Sequence, residues 1–220
     1  MEHNQNDQAS EPHRIDLSAD LSAPGTAKIE MALPKLVLAS ASPRRAEILR
    51  MSGWDFETFP TAVDETRRIG EDAAPYVERV AREKAEAAAQ GVADRIVVGA
   101  DTVVVIDGEI LGKPRDAEDA RRMLRLLQDR WHKVVTGICV INKNSAAAEI
   151  AHETTEVKFG PMTEDEIDWY VSTGEPMDKA GAYAIQGLSA RFIERIRGDY
   201  LNVVGLPLRE LYKIVEKRNG

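Results

Sequence analysis

A single cysteine, Cys139, stands among 220 residues. It excludes an internal disulfide framework and fits a reducing compartment. Long apolar runs are missing too. The longest, residues 96–106, is broken by Gly99, Asp101 and Thr102, well short of the ~18 to 20 residues a membrane span needs. The opening Met-Glu-His-Asn-Gln-Asn-Asp carries neither the basic nor the apolar stretch of a secretory signal. Aromatics make up only 5%, and Lys+Arg 29 against Asp+Glu 37 leaves a net charge of −8, which argues against bulk attraction to nucleic acid. The four histidines, His3, His13, His132 and His152, lack metal-ligand spacing, and His152-Glu153-Thr154-Thr155 is not a zinc-protease pattern. What remains, 43% hydrophobic and 30% charged, is the ordinary balance of a globular protein, expected in the cytoplasm.

Residues 1–31 are polar, with six acids (Glu2, Asp7, Glu11, Asp16, Asp20, Glu30) and two bases (Arg14, Lys28). With no sustained apolar period, they are expected to form a disordered leader, and residues 32–220 the working domain. The leader's −4 leaves the remainder also at −4, so a small anionic substrate would need a local cationic pocket.

Leu36 to Ala39 reads as a buried strand, followed by a helix capped at Ser42, opened by Pro43 and stopped at Gly53. Phe56 to Phe59 suits a second strand. Pro75 opens a helix to about Gln90 with Val77, Val80, Ala81 and Ala88 on one face. Ile96 to Ile106 is strand, and Asp107-Gly108 signals a hairpin into Glu109 to Leu111. Asp116 to Gln128 is helical. Lys133 to Ile141 and Glu149 to Phe159 suit antiparallel strands around the turn at residues 142–145. Thr163 and Glu166 form a capping box. Phe192 to Ile196 and Leu201 to Val204 suggest a hairpin across Gly198-Asp199, and Leu208, Leu211, Tyr212 and Val215 a closing helix. The class is α/β with a mixed sheet.

Three places break the local rules. Asp101 interrupts an apolar β run, where an unpaired carboxylate costs several kcal/mol, roughly. Either the strand has ended there, or Asp101 is a metal ligand or general base. Lys84 lies seven residues after Val77, on the helix's apolar face. Either it snorkels to solvent or it faces a cleft that holds an anion. Ser42-Pro43-Arg44-Arg45 puts two arginines at a helix start, which suits a phosphate cradle and equally an exposed helix. Lys113 in Gly112-Lys113-Pro114 is rigidly flanked, but Gly108 to Lys113 is one residue short of a P-loop and Pro114 replaces its Ser or Thr. Asp178-Lys179-Ala180-Gly181 and Ile185-Gln186-Gly187 are polar, Gly-punctuated loops that need no function as turns. Glu65 is a second carboxylate, for a metal or for solvent.

Taken in order, these stretches resemble the Maf-like nucleoside triphosphate pyrophosphatases, from about Lys35 to Lys217. The matching segments are residues 38–45, Val63-Asp64-Glu65-Thr66, residues 81–85, Gly99-Ala100-Asp101-Thr102, Gly112-Lys113-Pro114, residues 178–183, Ile185-Gln186-Gly187 and residues 204–208. The resemblance implies an elongated mixed sheet flanked by helices, with two lobes around a central cleft, as in inosine triphosphatases. It also implies hydrolysis of a nucleoside triphosphate between the α and β phosphates, with Mg2+ or Mn2+ and often as a homodimer. By position, Asp101 would be the proton acceptor. Ser40, Arg44, Arg45, Glu65, Lys84, Lys113 and Gln186 would line the site, with Ser42, Thr102, Asp178 and Lys179 also at the substrate.

Arg44, Thr102 and Gln186 match the subgroup that hydrolyses dTTP and UTP. The sister subgroup acting on 7-methyl-GTP has an aromatic, a glutamine and a glutamate there. Physically, Asp101 and Glu65 suit a hard cation, Asp101 would accept a proton from the attacking water, and Arg45, Lys84 and Lys113 would neutralise departing pyrophosphate. Lys84→Met is expected to fold at least as stably while losing triphosphate affinity. The competing classes are a nucleotide-binding regulator of septum formation, against which the added carboxylates argue, and, more distantly, a nucleic-acid-binding protein. Modified pyrimidine nucleotides, cleared from the pool, are a further substrate class.

Overall fold

The computed structural model describes residues 33–93, 95–142 and 147–217; the expected leader lies outside them. The chain runs β1 (Leu36–Leu38), α1 (Pro43–Met51), β2 (Phe56–Thr58), α2 (Ala73–Gly91), β3 (Ile96–Ile106), β4 (Glu109–Leu111), α3 (Ala117–Leu127), β5 (Trp131–Asn142), β6 (Ala147–Phe159), α4 (Glu164–Ser172), β7 (Ile193–Arg197), α5 (Tyr200–Val204) and α6 (Leu208–Glu216), with short 3-10 turns between α4 and β7.

One mixed sheet orders the strands β2-β1-β3-β5-β6-β7, with β4 also beside β3. β1 is parallel to both β2 and β3, and β5 to β7 continue antiparallel. β5 follows one edge of β3 almost throughout. On the other edge, Ile96–Val98 pair with β1 and Val104–Ile106 pair with β4. Residues 99–103 have no strand neighbour there, so the sheet forks at Asp101. Open α/β sheets bind ligands where neighbouring strands diverge in this way.

Local chemistry explains most boundaries. Ser42 caps α1 with its side chain on the Arg45 amide, Pro43 takes the first turn, and Gly53 follows the end at φ 77. Asp107 and Gly108, at φ 51 and 80, close the β3–β4 turn in the left-handed geometry a two-residue hairpin prefers. The capping box of Thr163 and Glu166 opens α4. Helix α2 begins two residues before the expected Pro75.

The expected hairpin after β7 does not form. Residues 200–204 are the helix α5, capped by Asp199 on the Leu201 amide, because Asn202 turns into the sheet and anchors the segment there. Its amide nitrogen donates to Val134 O at 3.1 Å and to Thr155 Oγ1 at 3.0 Å.

Alternation along β3 assigns its side chains to two faces. Ala100, Thr102 and Val104 share one face. There, one apolar cluster gathers Leu36, Leu38, Ile48, Leu49, Ile138 and Leu206. A second gathers Val104, Leu124, Phe159, Ile167 and Tyr170. Between them lie the buried Thr136 and Asn202 and the half-buried Thr102. The opposite face, with Val97, Asp101 and Val103, is covered by α2 through Val77, Ala81, Ala85 and Ala88. Two glycines allow this contact: a Cβ on Gly99 would lie 2.0 Å from Ala81 O, and one on Gly137 2.5 Å from Val77 O. Helix α2 therefore rests on bare backbone, close enough for Lys84 to reach Asp101. Among the described residues, no helix is long and apolar enough to cross a membrane.

Candidate active site

Lys84 neither snorkels nor sits unpaired. Its ammonium lies 2.8 Å from Asp101 Oδ1 and 2.9 Å from Glu65 Oε1. Lys84 and Asp101 are both buried, whereas Glu65 is half exposed. Asp101 thus belongs to a continuing strand, not to a turn after its end. Burial of Glu65 works against its charge. The Lys84 hydrogen bond, with the positive fields of Lys84, Lys113 and Arg45, nevertheless holds its carboxyl below the usual range. Tyr76 donates to the Glu65 carbonyl at 2.6 Å and fixes that loop against α2. Burial first, then the two carboxylates, push the Tyr76 phenol up to about 12, so it stays a donor.

This geometry revises the expectation for Lys84→Met. Removing the cation would strand a buried carboxylate, which destabilises by about 3–5 kcal/mol, where the apolar-face argument anticipated no loss.

The second cation at the fork is tied down differently. Arg45 Nε donates to Gly205 O at 2.7 Å, Nη1 to Ser40 Oγ at 3.0 Å and to Ala100 O at 2.9 Å, and Nη2 to Thr102 Oγ1 at 3.0 Å. Four of its five N–H groups are therefore committed to the protein. Expected to neutralise departing pyrophosphate, Arg45 also bridges the gap in the sheet. It has no ion pair among the described residues, and burial lowers its pKa. Its field remains available to an anion in the cleft.

Thr102 is part of the same framework. Thr136 Oγ1 donates to Asn202 O at 3.0 Å, so in the 3.0 Å contact between the hydroxyls Thr102 is the donor. The chain of donors runs from Arg45 through Thr102 and Thr136 to Asn202. Ser40 also receives the Ser42 amide at 3.2 Å, and Ser42 Oγ serves as the α1 cap, leaving the Arg44 amide as the open N–H of that turn.

The remaining expected residues form the rim. Arg44 approaches Asp178 at 3.8 Å, and Lys179 pairs with Asp178 and donates to Glu175 O at 3.3 Å. Lys113 and Gln186 line the cleft without side-chain bonds to the described residues. Gly181 N donates to Gly112 O at 3.0 Å and joins the Lys113 turn to the Asp178 loop. The structure brings every expected site residue to one cleft of about 580 Å3. Five cations (Arg44, Arg45, Lys84, Lys113, Lys179) face three acids there, a cationic balance inside an acidic chain. Sequence reasoning did not single out Tyr76, Thr136, Asn202 or the close-packed Gly137. The polar Asn202 within Leu-Asn-Val-Val was the one available signal.

A cleft of this size, cationic in balance yet holding two carboxylates on one ammonium, suits a small polyanion. The chain belongs to the family described as Maf-like protein, whose family model matches residues 35–218. It is 52% identical over 187 residues to a dTTP/UTP pyrophosphatase of Anaeromyxobacter dehalogenans (strain 2CP-C), covering 84% of this chain and 94% of the relative. It is 50% identical over 186 residues to a dTTP/UTP pyrophosphatase of Syntrophus aciditrophicus (strain SB), covering 84% and 91%. Among solved structures, the Ham1 protein of Staphylococcus aureus is similar with a TM-score of 0.49 at 17% identity, covering 84% of this chain and 99% of that one.

Proposed function

We propose that this chain is a nucleoside triphosphate pyrophosphatase that hydrolyses dTTP and UTP to the monophosphate and pyrophosphate in the cytoplasm. The observation that carries this reading is Lys84 held between Asp101 and Glu65 at the fork of the sheet, inside a cleft with surplus cations. Its relatives bear the name of that reaction.

The two carboxylates converge within 2.9 Å of the Lys84 ammonium, and the second oxygen of each, without a hydrogen bond to the described residues, suits a hard divalent cation beside it. No group of three or more acidic, His or Cys side chains suited to a metal occurs among the described residues. Glu65 and Asp101 would hold Mg2+ or Mn2+, which would supply charge against the phosphates and a lowered water pKa.

The protein's own part is mostly position and field. Asp101 Oδ2 carries no hydrogen bond to the described residues and takes the proton of the attacking water. The water oxygen bonds to phosphorus, the α–β phosphoanhydride bond breaks, and pyrophosphate leaves toward Lys84 and Lys113. Arg45 holds the Asp101 segment and its field from the opposite face. Gln186 offers a donor and an acceptor to the base edge. Modified pyrimidine triphosphates, such as 5-methyl forms, are substrates of the same kind, and their removal is the cellular role this chemistry fits.

The test is a panel of UTP, dTTP, CTP, ATP, GTP and 7-methyl-GTP with Mg2+ or Mn2+, assayed separately for pyrophosphate and phosphate. Pyrophosphate released fastest from UTP or dTTP is expected. Release of orthophosphate alone would overturn the reaction, and a preference for 7-methyl-GTP would overturn the substrate assignment.

A further inference from the structure

Gln186 stands at the middle of a segment clamped at both ends by one carboxylate. Two residues after it, the Leu188 amide donates to Glu175 Oε1 and Oε2, each at 3.1 Å. Two residues before it, the Ala184 amide donates to Tyr170 Oη at 3.3 Å, and that hydroxyl donates to Glu175 Oε1 at 2.8 Å. Tyr170 is fully buried in the second apolar cluster, so its hydroxyl is a fixed anchor. Gly187 shows how closely the backbone wraps the carboxylate: it sits at φ 145, and a Cβ there would lie 2.6 Å from Glu175 Oε2. Ser189 closes the segment with its hydroxyl on Ala184 O. The carbonyl of Glu175 also receives Lys179, so one residue joins two walls of the cleft.

None of these groups touches the acid–base centre. Their shared product is a rigid backbone under a side chain that has no partner of its own among the described residues. Gln186 presents one donor group and one acceptor, and a free glutamine side chain has up to about 1.5–2 kcal/mol of rotamer freedom to lose. Fixing the main chain on both sides confines where its amide can point. The cleft wall here, Ala184 and Ile185, carries no charge, in contrast to the Lys84 and Lys113 wall. The uncharged wall beside Gln186 suits an uncharged ring, as the cations of the cleft suit a polyanion.

We propose that Glu175, with Tyr170, is the positioning residue for base discrimination. It acts through Gln186 and sets which base the cleft accepts, not how fast a bound triphosphate is cleaved. The proposal rests on the nucleotide reading above.

The experiment compares kcat and KM for UTP and GTP in the wild type, Glu175→Gln, Tyr170→Phe, Gln186→Ala and the Gln186→Ala/Glu175→Gln double variant. Expected is a fall of about tenfold in the UTP-to-GTP ratio of kcat/KM in Glu175→Gln, through a higher KM for UTP, since a displaced contact group costs up to about a hundredfold. The double variant should discriminate no worse than Gln186→Ala alone. A merely structural role would slow both nucleotides alike. An unchanged ratio in both clamp variants of a selective wild type overturns the clamp and leaves the function standing. A wild type that cleaves UTP and GTP equally overturns the base reading and the clamp together. Should Glu175→Gln not fold, Tyr170→Phe, which keeps the buried ring, decides by the same ratio.

Discussion

Two buried cations meet β3 from opposite faces, and the protein satisfies them by opposite means. Lys84, from α2, is matched by two carboxylates; Arg45, from α1, is matched by carbonyl and hydroxyl dipoles. The first arrangement neutralises the lysine and leaves surplus negative charge on groups that exchange protons. The second leaves a full positive charge on a guanidinium that cannot move. A rigid field on one side and a titratable pair on the other is the division of labour expected where phosphoryl chemistry needs both charge stabilisation and a proton acceptor.

The largest stability effect should come from the Arg45 side. Arg45→Met leaves the carbonyls of Ala100 and Gly205 and the hydroxyls of Ser40 and Thr102 without their donor, so a loss of at least about 4 kcal/mol is expected in denaturant melts, at 1–3 kcal/mol per unsatisfied buried group. A loss below about 1 kcal/mol would show that the fork does not depend on the guanidinium. On the other face, Lys84→Met should cost about 3–5 kcal/mol, and Lys84→Met/Asp101→Asn should recover a good part of it, because the stranded charge is gone. Additive losses in that cycle would contradict the ion-pair account.

Acid should act on the lysine side first. Glu65 has a folded pKa below its ordinary 4.5, so its contribution to stability is present above that value and lost as pH falls through the lower, folded one. In Glu65→Gln, the slope of stability against pH below about 4.5 should flatten slightly. An unaltered slope would mean that the Lys84 contact contributes nothing in solution.

Much of the α2 side was legible in the sequence. A lysine at seven residues' spacing on an apolar face and an aspartate in an apolar strand both violate local rules, and together they are each other's explanation. Little of the Arg45 side was legible, because its acceptors come from residues 40, 100, 102 and 205, and all four are backbone or small hydroxyl oxygens that leave no pattern. Thr102 shows what geometry adds to position. It stands at a subgroup-matching position, yet its hydroxyl is spent within the framework that holds Arg45. Helix α5 was hidden for a third reason. Five residues with two valines carry no helical period, and the tertiary bonds of Asn202, with the Asp199 cap, decide their conformation.

Asp101→Asn tests the central claim most directly. The asparagine oxygen still accepts the Lys84 bond, and Glu65 still faces the ammonium, so the fold should hold. With UTP, calorimetric affinity should stay near that of the wild type while pyrophosphate release falls by about a hundredfold to ten-thousandfold, the usual worth of a general base. Wild-type-like kcat in that variant would remove Asp101 from the reaction and with it the reading of this cleft as the catalytic centre.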